Sequence, residues 1–210
     1  MKPGDIYNSQ TYSYLALRKA VGWIGILLPL VLFLGDFLLS GKSRPLLNIS
    51  LYYHTEMRDV FVGAVCAIGL FMFYYRGYDK WDNIAGNLAG LCALGIAWFP
   101  VTRSGPPDLS GKVHFISAGG FFLLLSCFSL LLFTRKRTKP SRRKIIRNRI
   151  YIACGAVMLL CLLLIVIFFN FLQEHHPVSS FVFWAETAAL VAFGISWLTK
   201  GGSLYPDKKS

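Results

Sequence analysis

The chain has 210 residues, 55% of them apolar and only 15% charged, with a mean hydropathy of +0.52. A soluble domain of this size cannot bury so much apolar surface, so composition excludes an ordinary globular protein and calls for a lipid bilayer as solvent. The net charge of +12 would suit nucleic acid, but its densest run lies directly against apolar segments, where basic residues set topology, and no nucleic-acid partner is expected.

Windows of roughly 20 residues, the length that crosses a hydrocarbon core, place spans near residues 20–40, 59–76, 83–100, 113–133, 149–171 and 180–199. The expected fold is all-α: one integral membrane domain, residues 1–210, built as a bundle of six transmembrane helices. The residues before the first span are mostly polar and unlike a cleavable signal, so that span should serve as its own insertion signal. It contains Pro29, the single mid-span proline, and Asp36 about one turn below its far end.

The loop that follows reads Ser50-Leu51-Tyr52-Tyr53-His54-Thr55-Glu56-Met57-Arg58-Asp59, an unusually polar and aromatic approach to span two, and holds the sequon Asn48-Ile49-Ser50. If the second helix starts early, Ser50 and His54 share a face at i, i+4, Arg58 continues it and Asp59 sits beside it. Ser50 suits a helix N-cap, or a nucleophile with His54 as its base. Span three carries Gly86 and Gly90 at GxxxG spacing, which allows close helix approach and marks it as a candidate central helix. It emerges at Phe99-Pro100, and His114 lies in the first turn of span four. Residues 134–148 form a basic cytoplasmic loop that carries most of the run Arg135 to Arg149, suited to anionic headgroups. His175 and His176 occupy a short, solvent-facing loop, and Glu186 lies about two turns inside span six.

Orientation follows from the basic residues. The tails and the loops after spans two and four hold 17 of the 22, so both termini should be cytoplasmic. Trp23, Trp81 and Trp197 would mark the cytoplasmic interface, with Trp98 and Trp184 at the opposite one. Cys66, Cys92, Cys127, Cys154 and Cys161 all fall within spans and imply no disulfide framework. The membrane would be a bacterial inner membrane or a eukaryotic endomembrane or plasma membrane.

All four histidines, with Asp36, Asp59 and Glu186, then lie toward the extracytoplasmic side. Ionisable groups in or beside spans are functional by default, which defines a candidate site of Asp36, Ser50, His54, Arg58, Asp59, His114 and Glu186. The leading expectation is that this site binds or handles a lipid headgroup, with Arg58 pairing to Asp59, Asp36 or Glu186 as a buried lock. The alternative is a zinc-dependent hydrolase of a lipid ester or amide: His54, Asp59, His114 and Glu186 would be catalytic, and His54, His114 and Asp59 would hold the metal. A small-molecule transporter ranks third, since its broken helices and through-going polar path are missing. No nucleotide, flavin or haem motif occurs, so zinc is the one cofactor these side chains would suit.

Six spans with both ends inside, the serine motif Asn48-Ile49-Ser50, the histidine of Lys112-Val113-His114-Phe115-Ile116-Ser117-Ala118-Gly119 and the glutamate of Trp184-Ala185-Glu186 resemble the DRAM/Sfk type of six-span membrane proteins. They also resemble related bacterial six-span families of unknown function. That likeness covers most of the chain in layout but about thirty residues in motif, and implies a role in lipid remodelling or membrane homeostasis without a chemical mechanism. Locally, Ser50-x-x-x-His54 is similar to the motif of the CREST group of zinc-containing membrane hydrolases, although the His-x-x-x-His of that group's last helix is missing here.

Overall fold

The computed structural model describes residues 3–77, 79–135 and 141–204, with side chains from residue 14 onward. Among these residues there is no strand. The chain forms six long helices, α1 (Pro3–Ser40), α2 (Arg58–Tyr74), α3 (Lys80–Trp98), α4 (Leu109–Cys127), α5 (Arg142–Ile167) and α6 (Phe181–Lys200). A short 3₁₀ helix, Ile49–His54, precedes α2, and π-helical turns at Phe128–Leu132 and Phe168–Leu172 finish α4 and α5. Four segments, Tyr14–Ser40, Leu109–Leu132, Arg142–Leu172 and Phe181–Lys200, are long and apolar enough to cross a membrane. α2, at 17 residues, is shorter than any of these four, and α3 is diluted by Asp82, Asn83, Asn87 and three glycines.

Helix boundaries depart from the apolar windows wherever polar residues supply a start signal. α1 begins at Pro3 rather than near residue 20, because nothing after Pro3 and Gly4 breaks the helix. α4 begins at Leu109, where Asp108 caps it by accepting the Gly111 N–H at 2.8 Å and the Thr102 hydroxyl at 2.7 Å. Those two donors hold the Asp108 carboxyl below its usual range. α5 begins at Arg142, capped by Ser141, whose Oγ accepts the Lys144 N–H at 3.2 Å. Residues 134–148 are therefore not a loop throughout: from Arg142 onward they are the first turns of α5. Lys2, Lys136, Arg137, Lys139, Lys208 and Lys209 lie outside the described residues.

Packing follows chain order, each helix against the next, and α6 closes the ring on α1. Alternate connections meet at opposite ends. At one end the Phe183 N–H donates to the Leu47 carbonyl at 3.0 Å and Ser180 Oγ to the Pro45 carbonyl at 2.9 Å. At the other, Arg135 pairs with Asp79 and Asp82, and Lys144 Nζ donates to the Phe133 carbonyl at 2.9 Å. The most enclosed helix is α6, 61% buried where the other three apolar segments reach 39% at most. Glycine spacing had pointed to α3 as central, but the GxxxG pair itself serves one neighbour, while Gly95 packs against Ser117 of α4. A Cβ on Gly86 would stand 2.9 Å from the Met72 carbonyl oxygen, and one on Gly90 2.9 Å from that of Gly69, both on α2.

Trp197 of α6 is 1% exposed and is ringed by Phe71, Tyr75, Phe128, Phe133 and Phe193. It anchors the core and does not mark an interface. Trp23, Trp81, Trp98 and Trp184 are the exposed tryptophans. Leu38, Leu109, Ile116 and Leu163 also face outward, a pattern compatible with lipid as the surrounding solvent.

Candidate functional site

The 3₁₀ helix Ile49–His54 places the central serine. Asn48 starts it from an extended conformation, its Oδ1 accepting the Leu51 N–H at 2.9 Å. Asn48, not Ser50, is therefore the cap, and the Ser50 hydroxyl is released for another partner. With three residues per turn, Ser50 and His54 do not share a face as they would in an α-helix. Thr55, Glu56 and Met57 then separate this element from α2.

Ser50 pairs with His114 instead, its Oγ lying 2.8 Å from Nε2. The other ring nitrogen, Nδ1, is 2.7 Å from the carbonyl oxygen of Phe99. A carbonyl only accepts, so Nδ1 carries the proton, and in the neutral ring Nε2 is bare and accepts the Ser50 O–H. His114 is 1% exposed and Ser50 9%. Three consecutive carbonyls around Pro100 are occupied by side chains in this way: Phe99 by His114, Pro100 by Ser110 Oγ at 2.9 Å, and Val101 by His54 Nε2 at 2.7 Å. The segment has left α3 and cannot satisfy itself, so polar side chains of the neighbouring elements do so.

Glu186, from α6, accepts the Ile49 N–H on Oε2 at 2.6 Å. Glu186 and Ser50 line one cavity of about 50 Å³ whose other walls are apolar, among them Leu28 of α1, Phe61 and Val65 of α2, Ile96 of α3 and Phe121 of α4. Glu186 thus lies within the bundle and still keeps accessible surface.

The remaining candidates stand apart. Asp36 is buried on α1, accepts from Ser40 Oγ at 3.1 Å and lies 3.6 Å from Lys42 Nζ, a local arrangement away from the cavity lining. Arg58 and Asp59 pair at 3.1 Å on the exterior, their side chains 59% and 88% exposed. The buried lock expected of Arg58 does not form, because α2 begins at Arg58 and turns its first residues outward. The proposed zinc triad is not assembled either. His54 and His114 are turned onto backbone carbonyls, Asp59 faces outward, and among the described residues no three His, Cys, Asp or Glu side chains are grouped to hold a metal. His175 and His176 are exposed.

No family model, no curated protein and no solved structure matches the chain. The likeness to DRAM/Sfk-type proteins accordingly rests on the quoted motifs alone. The sequence offered no signal for the Phe99 and Val101 carbonyls. Asn48 could have been found, since asparagine ahead of a turn that leaves Leu51 N–H unsatisfied is a standard cap.

Proposed function

We propose that the chain is an integral membrane protein of six spans with both termini cytoplasmic, and that Ser50, His114 and Glu186 form an extracytoplasmic site for the polar group of a membrane lipid. One observation carries this reading: Glu186 and Ser50 face the same, otherwise apolar cavity. A carboxylate inside an apolar bundle is costly unless it meets a cation or a ligand, and no described cation pairs with Glu186. A carboxylate beside a hydroxyl suits a headgroup bearing hydroxyl or ammonium donors, while the apolar walls suit the carbons that adjoin it. The cavity, at about 50 Å³, is small against a whole lipid molecule. Only part of a lipid enters, and the rest lies along the exposed apolar faces of the helices. At the opposite end, the basic residues from Arg135 to Arg149 attract anionic headgroups of the inner leaflet.

The test is lipid retention. Protein purified in mild detergent should carry lipid that survives into native mass spectra, and Glu186→Gln should lower its occupancy at least about tenfold, the loss of one charge-assisted hydrogen bond. Gln keeps an oxygen for the Ile49 N–H, so melting should change little. Unchanged lipid in Glu186→Gln and in Ser50→Ala, with unchanged melting, would sink the proposal.

A further inference from the structure

We infer that Ser50 and His114 are a nucleophile and base acting on the ester carbonyl of a membrane lipid. The inference rests on the lipid site proposed above and adds a reaction to it. Four serines are buried among the described residues, and their partners differ in kind. Ser126 donates to the Phe122 carbonyl at 2.8 Å, and Ser129 and Ser196 bond to each other at 2.6 Å. Neither arrangement can remove a proton from the hydroxyl. Ser50 alone of the four faces a group that can, the unprotonated Nε2 of His114 at 2.8 Å.

Orientation is supplied as well. The Phe99 carbonyl fixes both the tautomer and the ring plane of His114, the part that a third group plays in nucleophile and base pairs generally. Ser50 is on the cavity wall, whereas His114 is not among the lining residues and stands behind it. A substrate in the cavity therefore reaches Ser50 before His114. Glu186 acts as a positioning residue: through the Ile49 N–H it holds the residue next to Ser50.

The reaction balances with water as the only co-reactant. Ser50 Oγ forms a bond to the ester carbonyl carbon as its proton passes to His114 Nε2. The tetrahedral adduct then breaks its bond to the alcohol oxygen, which takes the proton from Nε2, leaving an acyl group on Ser50. The oxygen of a water molecule then bonds to the acyl carbon as one of its protons passes to Nε2, and the adduct breaks its bond to Oγ, which takes that proton from Nε2 as the carboxylic acid leaves. A backbone carbonyl stabilises the transient imidazolium less than a carboxylate would, so the pair matches an ester better than an amide.

The experiment uses the full chain in mild detergent with a long-chain alkyl fluorophosphonate, followed by peptide mapping. The expected result is one phosphonyl adduct on Ser50 with fluoride displaced, none in Ser50→Ala, and formation at least about 100-fold slower in His114→Gln. No adduct on a wild-type chain that melts cooperatively, an adduct elsewhere, or an unchanged rate in His114→Gln would overturn the inference. If His114→Gln does not fold, Ser50→Cys decides. Its thiol, paired with His114, should be alkylated by a lipid-tailed iodoacetamide at least about tenfold faster than the five native cysteines, and equal rates would count against the pair. Retained lipid without an adduct would overturn the serine chemistry alone, whereas an absence of lipid would overturn the site on which it rests.

Discussion

Asn48 and Arg58 are both polar residues of the segment that leads into α2, and their surroundings make their contributions unequal. The Asn48 side chain closes the first turn of the 3₁₀ helix through the Leu51 N–H, so Asn48→Ala should lower stability by about 1 kcal/mol. It should also disturb lipid occupancy, because Ser50 rides on that turn. Among the described residues Arg58 pairs only with the exposed Asp59, and Arg58→Ala should cost less than about 0.5 kcal/mol. Denaturation of both variants in one detergent checks the pair of values, and equal losses would contradict this account. That His114 and Glu186 would lie within the bundle was legible in the sequence, since each falls in an apolar segment. The partner of Ser50 was not. Pairing with His54 assumes 3.6 residues per turn, and Asn48 starts a tighter helix that swings the hydroxyl to His114.

For helices, the legible part was the existence of each apolar stretch, and the illegible part was what bounds and joins them. Hydropathy cannot see that α5 runs back into the basic segment, because Ser141 and the helix-forming Arg and Lys residues after it carry no apolar signal. Nor does a GxxxG spacing say which helix it faces. The geometry names α2, and it separates glycines that look alike in the sequence. Gly86→Ala pushes a Cβ against the Met72 carbonyl, a backbone atom that cannot yield cheaply, and should destabilise by about 1–3 kcal/mol. Gly63→Ala, in α2 with nothing within 4 Å of the added carbon, should be neutral or stabilise by up to about 1 kcal/mol. Thermal melting of the two variants would refute the α2–α3 packing if Gly86→Ala were the more tolerated.

Across the whole molecule, the alternation of connections between two ends and the distribution of basic residues are independent observations that point the same way. Contacts bring residues 45–54, 99–102 and 180–186 to one end, and put Arg135 beside Asp79 at the other. Neither set of contacts depends on hydropathy. The six-span proposal needs α2 and α3 to cross as well; a short α2 and a polar-flecked α3 pack closely on one another through Gly86 and Gly90 and expose only part of their surface. The consequence can be measured with single cysteines in a variant lacking the native five. Positions Arg44, Ser104 and His175 are exposed at the site end, and Lys80 and Ser203 at the opposite end. In intact cells a membrane-impermeant maleimide should label the first three and reach the other two only after permeabilisation. A full reversal would invert the orientation and move the Ser50 site to the cytoplasmic leaflet. Outside labelling of Lys80 together with Ser104 would show that α3 does not cross, and then the cavity that Ile96 helps to close would have to sit at a surface instead of within a bilayer.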